Sequence, residues 1–170
     1  MTQIARPDNS ALLDRLEIRF VESEDDMGVV REIRRRVFGD EQRIADAAEP
    51  DPDDPRSVHV LAVLPEGAIG TGRMTLPSRT ENGAQIAWVA TLPEYRRQGV
   101  GGAIMHALLA AADRSQTDLT LLSAQTHALD FYRQFGFQPF GDRFKMKGIE
   151  HQIMFRWRPG SDMAGQESIS

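Results

Sequence analysis

Leu92-Pro93-Glu94-Tyr95-Arg96-Arg97-Gln98-Gly99-Val100-Gly101-Gly102-Ala103 is the stretch around which the rest of the chain can be placed. Just before it, Gln85-Ile86-Ala87-Trp88-Val89-Ala90-Thr91 reads as a strand. Just after it, residues 102–114 read as a helix by their Ala, Leu, Ile and Met content. The glycines between free the backbone to expose a run of N–H groups where the helix begins. Unpaired amides and the helix dipole at such a turn suit a phosphate or pyrophosphate, and Arg96 and Arg97 add charge at the same mouth. A nucleotide P-loop needs a lysine and a hydroxyl residue after its last glycine, and Gly102-Ala103 supplies neither. The dinucleotide fingerprint G-x-G-x-x-G fails at Gly99-Val100-Gly101-Gly102-Ala103-Ile104. On glycine content alone, an ordinary glycine-rich turn stays open as the alternative.

Upstream, Leu16-Glu17-Ile18-Arg19-Phe20 alternates as a half-buried strand does. Ser23 before Glu24, Asp25 and Asp26 is a helix start, and Met27, Val30, Ile33, Val37 and Phe38 follow at helical spacing. That helix is expected to end near Gly39, with Arg31, Arg34, Arg35 and Arg36 mostly on a solvated face. Pro50, Pro52 and Pro55 among acidic residues make a loop. Residues 58–64 and 68–76, joined at Pro65-Glu66-Gly67, read as a hairpin, and Glu81-Asn82-Gly83 as a further turn. Downstream come a strand at 118–123, a helix at 128–135 closed by Gly136, and strands at 137–140 and 149–158. Residues 1–15 and 159–170 carry little periodicity and are expected to be loose, leaving 16–158 as one domain. The alternation predicts an α/β domain, a layered sheet with helices on both faces.

The 170 residues can bury one real core, and 41% hydrophobic with 26% charged residues is a globular balance. A net charge of −5 argues against a nucleic-acid-coating surface. No stretch is long and apolar enough to span a bilayer, and no secretory signal opens the chain, so no membrane role and a cytoplasmic location are expected. Without cysteine there is no disulfide, thiolate metal site or cysteine nucleophile. The four histidines are dispersed and lack metal spacing, so no metal is expected. Glu49, Asp51, Asp53 and Asp54 resemble a calcium loop in charge alone, because prolines and a missing glycine break the pattern.

Arg96-x-x-Gly99-x-Gly101, after a strand and before a helix, resembles the acyl-coenzyme A signature Q/R-x-x-G-x-G/A of the GNAT superfamily of N-acetyltransferases. Val89-Ala90-Thr91-Leu92-Pro93-Glu94-Tyr95-Arg96 is similar to that family's strand-to-loop passage. Ala128-x-x-x-Tyr132-x-x-x-Gly136-Phe137 resembles its second hallmark, a tyrosine helix before a Gly-Phe strand start. The resemblance covers residues 16–158. Arg34-x-x-Val37-Phe38-x-x-Glu41-Gln42 and Gly148-Ile149-x-His151-x-x-Met154 narrow it to a bacterial subgroup of poorly defined acceptor.

The resemblance implies a GNAT fold: a single mixed, mostly antiparallel sheet splayed between the fourth and fifth strands. It implies acetyl-CoA as co-substrate, its pyrophosphate held by the backbone amides of Gln98, Gly99, Val100, Gly101 and Gly102 with charge from Arg96 and less from Arg97. Val89, Ala90 and Thr91 would occupy the strand bulge that offers N–H groups to the thioester oxygen. Tyr132 would protonate the departing thiolate, a packing tyrosine being the alternative. Gln125 stands where the family carries asparagine and can still make amide contacts with the cofactor. Glu41, Gln42 and His127 would face the acceptor.

The common strand glutamate that serves as base is missing, since Ile86, Ala87 and Trp88 hold that stretch. Glu41, His59, His127 and His151 are the polar candidates elsewhere, with a water chain as a further route. Trp88 is expected in the core or as a wall of the acyl pocket. With no cysteine to carry an acyl group, the expected reaction is direct attack by a primary amine, from a small molecule or a peptide, in a ternary complex. A non-catalytic acyl-CoA-binding or sensing module is the alternative, and a homodimer is left open.

Overall fold

A computed structural model describes residues 10–79 and 83–161. In chain order these form α1 (Ser10–Leu13), β1 (Glu17–Phe20), α2 (Glu24–Arg34), β2 (Ser57–Leu64), β3 (Gly67–Thr75) and β4 (Ala84–Thr91). They continue as α3 (Val100–Arg114), β5 (Leu119–Gln125), α4 (Leu129–Arg133), β6 (Gln138–Met146) and β7 (Ile149–Trp157). The strands make one seven-stranded sheet in the order β1-β2-β3-β4-β5-β7-β6. Every neighbouring pair is antiparallel except β4–β5, which is parallel.

Helices cover both faces. The apolar side of α3 buries Val100, Ile104, Met105, Leu108 and Ala112 against Val60, Ala62, Met74, Ile86, Leu122 and Met154. Burying each of the larger of these side chains contributes about 1.5–3 kcal/mol. A Cβ at Gly72 would stand 2.7 Å from Ile104 Cγ2 and 2.9 Å from Leu108 Cδ1, so the glycine sets how closely α3 seats on β3. On the opposite face Val30, Ile33 and Val37 pack with Leu61, Ala90 and Leu92.

Several boundaries differ from the sequence reading, each for a local reason. Ser10–Leu13, inside the stretch read as loose, forms a helical turn, and Leu12 packs on the core. Ser23 caps α2, its Oγ accepting from the Asp26 N–H at 3.1 Å. The helix does not stop at Gly39 but runs on as a π-helical segment, Arg35–Glu41, where the Gln42 N–H reaches back to the Val37 carbonyl. The tyrosine helix is short, five residues after a 3-10 turn at Thr126–Ala128, and closes at Gly136 with φ +86. β6 runs to Met146 because its hairpin with β7 extends past a bulge between Phe140 and Phe144. Glu81-Asn82 and residues 1–9 and 162–170 lie outside the described residues. No described helix is long and apolar enough to cross a membrane.

Candidate active site at the splay between β4 and β5

β4 and β5 pair only at Ala84↔Thr120 and Gln85↔Leu121 and part beyond them. On its other edge β4 places Trp88 and Val89 opposite the single residue Gly72, since Thr71 pairs with Ala90 and Arg73 with Ala87. The bulge thus sits at Trp88 and Val89, earlier than the expected 89–91, because Ala90 and Thr91 are already back in register with Thr71 and Gly70; it turns the strand and leaves backbone N–H groups out of the ladder. Trp88 takes a φ of +56 there, a backbone region that bulky residues avoid. A cavity of about 1110 Å³ fills the splay. Val89, Ala90, Thr91 and Arg96 line it from the β4 side. Gln125, His127 and Tyr132 line it from the β5 side, and the π-helical segment carries Glu41 and the adjoining Gln42 to its edge. Trp88 is a wall of the same cavity.

Arg97, Gln98, Gly99, Val100, Gly101 and Gly102 do not line this cavity. They form the turn and first helical turn that follow directly from its Arg96 rim. Gly99 caps the 15-residue α3 with φ +89 and offers no side-chain acceptor. The first intrahelical bond there is Ala103 N–H to Gly99 O at 3.0 Å, so the preceding amides have no partner inside the helix. That end carries partial positive charge, and its donor set fits a pyrophosphate. Arg97 sits at φ +60, where a glycine would be unstrained. Gly101 faces the ring of Phe131, whose Cζ would be 3.2 Å from an added Cβ.

Side-chain pairs tie the cavity walls together. Arg96 binds both Glu41 oxygens at 2.6 Å, while its Nε donates to the Thr91 carbonyl at 3.0 Å. Hydrogen bonding from Arg96 holds the Glu41 carboxyl below its ordinary value, so this carboxylate is a poor proton acceptor. Gln42 and Gln125 exchange amide hydrogen bonds at 2.7 and 3.3 Å across the cleft. Lys147, in the β6–β7 turn, reaches Asp46 on the far wall.

Tyr132 touches Phe131 and Phe137 edge to face, with ring centroids 5.0 and 6.2 Å away. Its hydroxyl has no hydrogen-bond partner among the described residues, and burial pushes the phenol up to about 12. It is therefore protonated at neutral pH and free to donate into the cavity. The histidines separate by setting. His59 is buried away from the cavity; its Nε2 lies 3.0 Å from the Asp54 carbonyl and its Nδ1 lies 3.3 Å from Arg34. Burial lowers its pKa below 6.5, and both nitrogens are engaged, which removes it as a base. His127 is exposed at the cavity rim, whereas His151 is buried in the cavity wall.

The largest departure from the sequence reading is Arg34. Instead of facing solvent it is 1% exposed, forked onto Asp54 with its closest contact at 2.9 Å. Arg73 joins both Asp54, at 3.0 Å, and Asp51, at 2.9 Å. Asp51 also accepts from Trp88 Nε1 at 3.0 Å, and the Arg34 guanidinium lies 5.1 Å from the Trp88 ring centre. The acidic loop is thus the counter-charge to two buried arginines and a clamp on the bulged tryptophan. Burial alone would raise the Asp54 carboxyl, but hydrogen bonds from Arg34 bring it below its ordinary value. Among the described residues no group of three or more histidine or carboxylate side chains could hold a metal ion.

Residues 29–156 match the family described as Acetyltransferase (GNAT) domain. Bacillus subtilis (strain 168) YyaT, an uncharacterized protein, is 30% identical over 142 residues, which are 82% of this chain and 94% of that one. The uncharacterized N-acetyltransferase YjcF of the same strain is 32% identical over 126 residues, 73% of this chain and 87% of that protein. In fold the chain is similar to the crystal structure of Escherichia coli ElaA, with a TM-score of 0.74 at 24% identity, covering 83% of this chain and 99% of the other. The matched span holds the glycine turn, the splay and the tyrosine helix together, and the chain belongs to the GNAT acetyltransferase family.

Proposed function

We propose that the protein transfers an acetyl group from acetyl-CoA to a primary amine by direct attack in a ternary complex. The observation that carries this reading is the continuity of the site. One rim runs from the β4 bulge through Arg96 into the start of α3, whose amides no cap side chain satisfies, and a protonated tyrosine with no hydrogen-bond partner among the described residues stands across the cavity. The pyrophosphate would lie on the amides of residues 98–102. The acyl group would lie in the splay, where the N–H groups that the bulge at Trp88 and Val89 takes out of the ladder can meet the negative charge that develops on the thioester oxygen. Tyr132 would give its proton to the sulfur as the C–S bond breaks.

Incubating the protein with acetyl-CoA and a panel of aliphatic, aralkyl and peptide primary amines tests the reading. The expected outcome is one free thiol released per acetylated amine found by mass spectrometry. Tight acetyl-CoA binding with no thiol release from any amine would favour a binding or sensing module instead.

A further inference from the structure

His151 lies on β7, opposite Gln125 of β5 and Phe144 of β6. It is 5% exposed, and its small open surface belongs to the cavity wall. The imidazole stacks on the Phe144 ring, centroids 6.0 Å apart at 25° between planes, which fixes its orientation. Its Nδ1 stands 2.7 Å from the carbonyl oxygen of Ile149. A carbonyl can only accept, so Nδ1 carries the hydrogen. In the neutral ring the lone pair is then on Nε2, which has no partner among the described residues. A backbone carbonyl that fixes the tautomer is how a histidine is set to receive a proton at its other nitrogen.

From this geometry we infer that His151 is the general base of the acyl transfer, doing at β7 what the missing β4 carboxylate would otherwise do. The inference rests on the acetyl transfer proposed above. A primary amine arrives as an ammonium ion. Nε2 takes one proton from it, leaving the free amine, and passes that proton to solvent as the net proton of the reaction. The amine nitrogen bonds to the thioester carbon, the C–S bond breaks, and the nitrogen gives its second proton to the emptied Nε2, which returns it to solvent as Tyr132 is reprotonated. That proton balances the one Tyr132 gives to the sulfur.

The other charged groups around the cavity do not compete for this role. Glu41 with Arg96, Asp46 with Lys147 and Asp51 with Arg73 are ion pairs whose carboxyls are held below their ordinary values. Tyr132 is too weak an acid to ionise near neutrality. Glu49, on the rim, is exposed, and no hydrogen bond among the described residues orients its carboxyl. His127 is the other imidazole at the cavity, but it is exposed and no hydrogen bond among the described residues orients its ring.

The test is the pH profile of kcat/KM with acetyl-CoA and an amine that the wild type acetylates, for wild type, His151→Gln and His127→Gln. His151→Gln is expected to slow single-turnover transfer at neutral pH by about 100-fold or more, and to abolish the fall in rate toward acid pH. Its acetyl-CoA affinity, measured by calorimetry, is expected to match the wild type. A profile that keeps its acid limb in His151→Gln, or loses it in His127→Gln instead, overturns the assignment while leaving acetyl transfer intact. If wild type acetylates no amine, the transferase reading and the base fall together. Should His151→Gln misfold, long-range nitrogen-15 NMR on the wild-type protein decides. Hydrogen on Nδ1 with a bare Nε2 upholds the assignment, and hydrogen on Nε2 overturns it.

Discussion

The two sides of β4 use polar groups in opposite ways. Beneath the bulge, Arg34, Arg73, Asp51, Asp54 and the Trp88 indole satisfy one another almost completely; among the described residues, the buried Nε atoms of the two arginines are what this network leaves without a partner. In and beside the cavity, the first amides of α3, the Tyr132 hydroxyl and the Nε2 of His151 have no acceptor or donor among the described residues. Buried polar groups that are paired specify a structure, whereas polar groups held in position without a partner are poised for a ligand. The closed network sets the shape of the bulged strand, and the open groups are the chemistry that shape presents.

Breaking the closed side should produce the largest effect. Asp54→Asn leaves two buried guanidiniums with Asp51 as their one carboxylate, and should cost about 3–5 kcal/mol of folding free energy in urea unfolding. A loss under about 1 kcal/mol would mean that water reaches the pair and screens it. On the open side, Gly101→Val sets a branched side chain against Phe131 at the expected pyrophosphate cradle. Acetyl-CoA affinity by calorimetry should fall at least about tenfold. Unchanged affinity in a folded variant would remove the turn from the site.

Much of this division was legible in the sequence and part of it was not. The strands, the capped α2 and the glycine turn follow from local patterns of period two, helical spacing and backbone-permissive residues, which one segment contains whole. The pairing of Arg34 with Asp54 spans 20 residues and that of Arg96 with Glu41 spans 55, and no local period encodes either. Arg34 reads as one more arginine on a polar helix face until β3 brings Arg73 to the same carboxylate. The candidate site residues were likewise visible as types. The tautomer of His151 and the retirement of Glu41 and His59 as bases came from hydrogen bonds that only the folded chain makes.

Smaller effects sharpen the boundary between the two regions. Arg96 belongs to both, since it is bound to Glu41 yet stands at the mouth of the turn. Arg96→Ala should weaken acetyl-CoA by less than about tenfold, and more at low salt than at high, if its charge reaches the phosphates. An equal loss at both ionic strengths assigns it to holding Glu41. The gentlest probe is pH. Burial keeps the folded pKa of His59 below 6.5, so the unfolded chain takes the proton more readily. Stability should therefore decline as pH falls below about 6.5, a slope seen in Tm between pH 7.5 and 5. His59→Gln should flatten it, and an identical slope in that variant would place the titration elsewhere.

The most direct test of the open side is single-turnover acetyl transfer by Tyr132→Phe, with an amine that the wild type acetylates. The substitution keeps the ring and its contacts with Phe131 and Phe137 and removes a hydroxyl that has no partner among the described residues, so folding and acetyl-CoA affinity should hold. The expected result is a rate lower by about 10²–10⁴-fold, the usual worth of a general acid. A variant that transfers acetyl as fast as the wild type would contradict the account and return Tyr132 to a packing role.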